Sequence, residues 1–123
     1  MIAADTSSLV AFLSGETAGD VEQLAAAAAA GQLAIPPVVI TEILSGSDAA
    51  DLAAILERIF VLEPSEGYWQ RCGHNRRLLR KKGHKAKVAD SLIAQSCLDH
   101  DVALITRDAD FRHFARHCGL KLA

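Results

Sequence analysis

Short apolar runs alternate with longer amphipathic segments along the chain. The apolar runs at residues 2–4, 33–35, 59–62 and 102–106 are typical of buried strands, and residues 120–122 form a shorter fifth candidate. Apolar positions at helical spacing predict a helix ending near residue 13, then helices at 21–30, 38–45, 49–58, one ending near 83, and others at 87–99 and 109–117. Strands separated by helices predict a three-layer α/β/α fold with a central parallel sheet of four to five short strands.

Local capping signals set some of the predicted helix boundaries. Asp20, followed three residues later by Gln23, predicts the start of the alanine-rich helix. The pair Pro36-Pro37 predicts the start of the next one, because proline is tolerated in the first helical turn. Ser65 is predicted to cap the helix that ends near residue 83.

Length and composition favour one folded domain over residues 1–123. Half of the 123 residues are hydrophobic and 23% are charged, which excludes a disordered chain and predicts a core made mostly of Ala, Val, Ile and Leu. No apolar run reaches the roughly 18 residues of a membrane span, and no secretory signal opens the sequence. The cysteines Cys72, Cys97 and Cys118 match no disulfide framework, so we expect reduced thiols and a cytoplasmic protein.

The charge is concentrated in one part of the chain. Residues 67–89 hold eight of the 13 lysines and arginines and none of the 15 acids. A basic segment on an otherwise acidic chain indicates a polyanionic partner that binds beside an acidic site. A solvated helix face with a lysine-rich end would produce the same charge pattern.

Four acids are candidates for that acidic site. Asp5 follows the first predicted strand and Asp108 the fourth, and parallel sheets place their sites at the carboxyl ends of strands. Asp90 lies on the same helical stripe as apolar residues, so its carboxylate needs a cation or a strong donor. Glu42 is the single charge in an apolar helix. The alternatives are helix caps for Asp5 and Asp108, a salt bridge for Asp90 and solvent exposure for Glu42.

Carboxylates that converge in one cleft repel each other unless a cation lies among them. Hard oxygen ligands suit Mg²⁺ or Mn²⁺. His113 and His117 are one helical turn apart but lack the glutamate of a metalloprotease helix, so we expect them on an exposed helix face. A divalent ion beside a basic surface suits phosphodiester hydrolysis, since the ion lowers the pKa of a water ligand and neutralises charge on the phosphate. The expected phosphate contacts are Arg76, Arg77, Arg80, Lys81, Lys82, Lys85 and Lys87.

Four short motifs, in order, resemble those of PIN-domain ribonucleases, and most of all the VapC-type toxins of toxin–antitoxin pairs. The first is a strand ending in Asp followed by Thr or Ser, here IAADTS at residues 2–7. The second is a glutamate in a helix after proline, here PVVITEIL at 37–44. The third and fourth are ADSLIA at 89–94 and TRDADF at 106–111. The resemblance covers essentially the whole chain.

The resemblance implies the roles of the site residues. Mg²⁺ or Mn²⁺ would be held by Asp5, Asp90 and Asp108, with Glu42 as a further ligand or water-positioning acid. The supporting residues would be Thr6, Thr106 and Asp110, and we rank Asp108 above Asp110 as a ligand because it lies nearer the strand end.

The resemblance also implies a biological setting. The expected activity is a metal-dependent endoribonuclease that cuts transfer or ribosomal RNA. The expected partners are a second copy of the chain, in a homodimer, and a cognate VapB-type antitoxin.

Two other functions fit parts of the sequence. A non-catalytic domain that binds RNA or a protein partner would be expected to lack one or more of the acids, and all four are present. A phosphotransferase or phosphatase with Asp5 as its nucleophile would need a second aspartate two residues later, where Ser7 stands. The residues themselves do not distinguish RNA from DNA.

Overall fold

The computed structural model describes residues 1–46 and 53–123, and its centre is a parallel sheet. The strands are β1 (Ile2–Ala4), β2 (Leu33–Ile35), β3 (Phe60–Val61) and β4 (Ala103–Ile105), in the order β3-β2-β1-β4. In β1, Ile2 lies opposite Leu33 of β2 and Ala103 of β4, so the carboxyl ends of these three strands meet at one edge of the sheet.

Helices cover both faces of this sheet, which gives the three-layer α/β/α architecture predicted from the sequence. They are α1 (Thr6–Leu13), α2 (Gly19–Ala29), α3 (Pro37–Leu44), α4 (Tyr68–Lys81), α5 (Val88–His100) and α6 (Phe111–Cys118), and Leu56–Arg58 form a 3₁₀ turn. The α1 helix packs against α2, whereas α5 packs against α3, α4 and α6. The helix that follows β2, α3, contacts both α1 and α5 and so links the segment after β1 to the helix that carries Asp90.

The core is aliphatic, as the composition predicts, with two phenylalanines from α6. Ala3 and Ala4 of the central strand are fully buried, and their small side chains let the helices approach the sheet closely. Phe111 and Phe114 are each 1% exposed and complete the core beneath α6. They anchor α6, and with it the loop that connects β4 to α6.

Most predicted elements are present, and several are shorter than the apolar runs that predicted them. The strands at 59–62 and 102–106 are shorter than predicted, and of residues 120–122 one forms a single parallel bridge, from Leu122 to Leu104. The helix predicted at 49–58 falls partly outside the described residues, and its described end is the 3₁₀ turn.

Two predicted helix caps are wrong. The N-cap of α2 is Ala18, and Asp20 lies in the first turn with its carboxylate turned to Ser8 and Arg107. The N-cap of α4 is Gly67, whose φ of 84° is costly for residues with a Cβ. Ser65 instead accepts a hydrogen bond from Arg71 through its hydroxyl. In both cases an arginine side chain donates a hydrogen bond to the side-chain oxygen that the sequence pattern predicted to cap the helix backbone.

The described helices include none with the length and apolar character needed to cross a bilayer.

Candidate metal centre

Three carboxylates converge at the carboxyl end of the sheet. Asp90 extends from the first turn of α5, Asp108 from the loop after β4, and Asp110 from the residue before α6. One oxygen from each lies within 4.8 Å of the others. The backbone N–H of Asp110 donates to Asp108 Oδ1 at 2.9 Å, which fixes the two acids of the loop relative to each other. All three side chains are partly exposed, so the group is open to solvent on one side.

The electrostatics of Asp90 show how crowded the group is. Partial burial, followed by repulsion from Asp108, raises the pKa of Asp90 to about 6. Asp110 and Glu42 raise it further, and Lys87 acts in the opposite direction. The donor set consists of carboxylate oxygens, which fits a hard divalent cation such as Mg²⁺ or Mn²⁺. Such a cation would offset the repulsion.

Asp5 lies beside this group but outside it, and its carboxylate is saturated with hydrogen bonds. It is 2% exposed and accepts from Ser7 Oγ at 2.8 and 2.9 Å, from Ser8 N at 3.0 Å and from Thr106 Oγ1. Burial raises the pKa of Asp5, the hydrogen bonds oppose that rise, and Asp108 adds to it. The bond from Ser8 N makes Asp5 the N-cap of α1. The helix-cap interpretation of Asp5 is therefore correct, and Asp5 also lies within electrostatic reach of Asp108.

Glu42 faces the same region from α3. Its Oε1 accepts a hydrogen bond of 2.5 Å from the hydroxyl of Thr6, the first residue of α1. Glu42 raises the pKa of Asp90, so the two carboxylates lie close enough to repel each other. Glu42 is partly buried, so it is more than the solvent-exposed charge of an amphipathic helix.

Hydroxyl groups orient the acids. Thr6 donates to Glu42, and Thr106 donates to Asp5 while accepting from the backbone N–H of Asp108 at 3.0 Å. Sequence reasoning missed Ser7, which donates to both oxygens of Asp5. The available signal was its position two residues after a helix-capping aspartate, where a hydroxyl can reach the cap.

The loop after β4 contributes both of its acids to the carboxylate group. The sequence ranks Asp108 above Asp110 because Asp108 is nearer the strand, but both carboxylates belong to the group. The helix α6 begins directly after Asp110, and the turn into this helix brings Asp110 back toward Asp108.

The basic segment covers most of α4 and the loop before α5, and it ends next to the acidic group at Lys87. Arg76 is partly buried, and its Nε donates to the carbonyl of Ala86 at 2.6 Å, so part of its role is to hold that loop. Lys87 lies close enough to Asp90 to lower its pKa. Six cations of the basic segment are exposed and form no ion pair with any described residue: Arg77, Arg80, Lys81, Lys82, Lys85 and Lys87. Arg76, Arg77, Arg80 and Lys81 line an open groove of about 370 Å³.

The histidines of α6 are not on an exposed face, contrary to expectation. His113 and His117 are partly buried, and both stack on His84, with ring centroids 4.1 and 5.1 Å away. Burial lowers the pKa of His84 and His117, and Lys82 and Arg116 lower it further.

Comparison with known proteins identifies relatives of the fold. The family model described as PIN domain matches residues 2–117. No curated protein matches the sequence.

Solved structures with the same fold include three bacterial complexes. VapBC2 from Rickettsia felis, bound to a DNA fragment from its promoter, superposes with a TM-score of 0.77 at 21% identity, covering 100% of this chain and 98% of that one. A toxin–antitoxin complex from Klebsiella pneumoniae has a TM-score of 0.72 at 21% identity, covering 98% and 95%. VapBC-1 from nontypeable Haemophilus influenzae has a TM-score of 0.72 at 22% identity, covering 100% and 97%.

The burial of Asp90 and its repulsion by Asp108 predict that Asp90→Asn stabilises the metal-free protein at pH 7. The folded-state pKa, about 6, lies above the value of 3.8 for a free aspartate. Ionised Asp90 therefore costs stability above about pH 6, and this cost is relieved as the pH falls from 6 toward 3.8. We expect a gain of about 1 kcal/mol at pH 7, discounted because the carboxylate is partly exposed. Thermal unfolding in EDTA at pH 7 and pH 4 measures it.

The matched control for that measurement is Asp101→Asn. Asp101 is an exposed acid whose pKa is lowered by its bond to Lys121, so its removal brings no gain at pH 7. Equal effects of the two substitutions, or a gain for Asp90→Asn that persists at pH 4, would contradict the prediction that ionised Asp90 destabilises the folded protein.

The capping role of Asp5 predicts different outcomes for two substitutions. Asp5→Asn keeps an acceptor for Ser8 N and removes a charge that burial disfavours, so metal-free stability should be unchanged or slightly higher. Asp5→Ala removes the cap and leaves the hydroxyls of Ser7 and Thr106 without their acceptor, which should cost about 1–2 kcal/mol. Urea unfolding in EDTA compares them, and an equal loss for both would show that the charge itself is required for folding.

Proposed function

The chain belongs to the PIN domain family, and on that premise we propose that it is a metal-dependent endoribonuclease that acts as the toxin of a VapBC-type pair. The observation that carries the proposal is the convergence of Asp90, Asp108 and Asp110 at the carboxyl end of the sheet, with Lys87 at the end of the exposed basic segment close to Asp90. The carboxylates fit a divalent ion, and the cations fit a phosphate backbone.

We assign the metal to a site formed by Asp90 and Asp108, with Asp110 as a further ligand. Asp5 supports this site through Thr106, whose hydroxyl donates to Asp5 and accepts from the backbone N–H of Asp108. Asp5 would itself become a ligand if the ion displaced one of its hydrogen bonds. Glu42 is positioned by Thr6 to act as a base or to orient water. A bound Mg²⁺ or Mn²⁺ would neutralise charge on the phosphate and lower the pKa of a water ligand.

The surroundings of Asp5 argue against the phosphotransferase alternative. A nucleophilic aspartate must present an oxygen to the phosphorus atom. Both oxygens of Asp5 instead accept hydrogen bonds, and the side chain is 2% exposed.

RNA as the substrate, and an antitoxin as the partner, come from the likeness to VapC-type toxins. We propose transfer or ribosomal RNA as the target class, a VapB-type antitoxin as the inhibitor, and a homodimer as the active form. All three cysteines are free thiols, which favours the reducing cytoplasm as the location.

The proposal predicts RNA cleavage that requires both a divalent ion and the acidic group. Purified protein should cut structured RNA with Mg²⁺ or Mn²⁺ and not with EDTA. Asp90→Asn and Asp108→Asn should each reduce the rate roughly hundredfold or more, because the ion supplies several kcal/mol of transition-state stabilisation. A gel assay of end-labelled transfer RNA measures the rate.

Asp101→Asn, purified in the same way, is the control for that assay because Asp101 is exposed and lies outside the group. Cleavage that persists in EDTA, or that survives both acidic substitutions, would point to a contaminating nuclease and contradict the proposal. Binding without cleavage under all metal conditions would favour the non-catalytic alternative.

The basic segment predicts a specific salt dependence of RNA binding. Arg80→Ala and Lys81→Ala, each made in the Asp90→Asn background, should weaken binding to different RNAs to a similar extent. Each should also reduce the slope of log affinity against log salt concentration by about one unit. Filter binding over a salt series measures both quantities.

Lys121→Ala is the control for the binding series, since Lys121 is exposed, lies outside the basic segment and pairs with Asp101. Unchanged affinity and slope for Arg80→Ala and Lys81→Ala would mean that the segment is a solvated face.

A further inference from the structure

Arg107 lies between two site residues, Thr106 and Asp108, yet the acids that its side chain binds lie outside the carboxylate group. Its guanidinium forms a two-pronged ion pair with Asp20 on α2, with Nε at 2.9 Å from Oδ2 and a terminal nitrogen at 3.0 Å from Oδ1. A weaker contact of 3.5 Å reaches Glu16. The two prongs fix both the position and the plane of the guanidinium, unlike a single contact.

The partner of Arg107 is itself tied to the site. Asp20 Oδ2 also accepts a hydrogen bond of 3.0 Å from the hydroxyl of Ser8. The backbone N–H of Ser8 donates to Asp5, and Asp5 accepts from Thr106, the residue before Arg107. The contacts therefore form a closed ring that runs from the loop to α2, to α1, to the buried aspartate and back to the loop.

This ring constrains the loop that carries two of the three converging carboxylates. Within the loop, the hydrogen bonds of Asp108 and Asp110 are local, from one loop residue to another. Thr106 ties the start of the loop to Asp5, and Arg107 ties the next residue to α2. With both ties made, the peptide that leads into Asp108 is held on two sides.

We propose that Arg107 is a positioning residue, which through its ion pair with Asp20 holds the loop so that Asp108 and Asp110 meet Asp90. The inference rests on the proposed function, since it concerns the geometry of the metal site. Partners that orient ligands from outside the coordination sphere typically change metal affinity by about 10- to 100-fold when they are removed.

A simple charge effect of Arg107 has the opposite sign, which makes the inference testable. A positive charge near a cation site disfavours binding of the cation, so removing Arg107 would tighten metal binding if only its charge mattered. Loss of positioning weakens binding instead.

The test is Mn²⁺ affinity, measured by calorimetry on the whole chain without RNA. Arg107→Gln should weaken Mn²⁺ binding by about tenfold, and Arg107→Lys, which keeps the charge but not the two-pronged contact, should fall between Arg107→Gln and the parent protein. Asp20→Asn, which keeps the acceptor for Ser8 and loses the ion pair, should also weaken binding. Thermal unfolding in EDTA checks that each variant is folded.

The matched control is Arg71→Gln. Arg71 forms the same kind of two-pronged pair, with Asp99 at 3.0 and 2.7 Å, and its side chain is similarly exposed. Asp99 lies nine residues after Asp90 on α5, about 13 Å along the helix, so this pair does not touch the acidic loop. We expect Arg71→Gln to change Mn²⁺ affinity by less than about twofold while lowering the unfolding temperature at least as much as Arg107→Gln, because Arg71 also donates to Ser65 and to the carbonyl of Glu66.

Three results would overturn the inference. Tighter or unchanged Mn²⁺ binding by Arg107→Gln would show that its charge outweighs positioning or that the pair has no role at the site. An equal loss for Arg71→Gln would show a general effect of stability. Absence of Mn²⁺ binding by the parent would overturn the proposed metal site itself and this inference with it, whereas binding by the parent and by Arg107→Gln alike would overturn the inference alone.

Discussion

Repulsion among carboxylates in a partly buried cleft is the constraint on which the arrangement of this site depends. Asp90, Asp108 and Asp110 lie within 4.8 Å of one another, and the pKa of Asp90 rises to about 6 as a result of burial and of its acidic neighbours. In the metal-free chain this cost is offset in part by Lys87, the described cation that lowers the pKa of Asp90. The fold must therefore supply enough stability elsewhere to hold the acids together.

That stability comes from the parts of the fold that carry no charge. The aliphatic core fixes the end of β4, and the buried phenylalanines fix the start of α6. The acidic loop connects these two elements and is therefore held at both ends. Hydroxyls then orient individual carboxylates, since Thr6 binds Glu42 while Ser7 and Thr106 bind Asp5. Neutral donors suit this purpose because they orient an acid without forming the salt bridge that would compete with a divalent ion.

The sequence predicts this architecture well because its signals are local and repeated. Apolar runs and the spacing of helical segments specify the strands, the helices and the parallel sheet, and the strand-end rule brings Asp5 and the loop at 106–110 to one edge. It predicts less well where an arginine side chain competes for the capping oxygen. Asp20 and Ser65 match the pattern of helix caps, yet Arg107 from the loop after β4 binds Asp20, and Arg71 from the first turns of α4 itself binds Ser65.

The same distinction explains which acids form the carboxylate group. Proximity to the strand end favours Asp108 over Asp110, but the turn into α6 returns Asp110 to its neighbour, which only the three-dimensional path of the chain reveals. The path also explains why the basic segment lies where it does. An acidic cleft repels a polyanion over about 8 Å at physiological ionic strength, so cations must lie within that distance to bring a phosphate close. The basic segment runs directly into the helix that carries Asp90. Its last cation, Lys87, therefore lies three residues before Asp90 and is near enough to lower the pKa of that carboxylate.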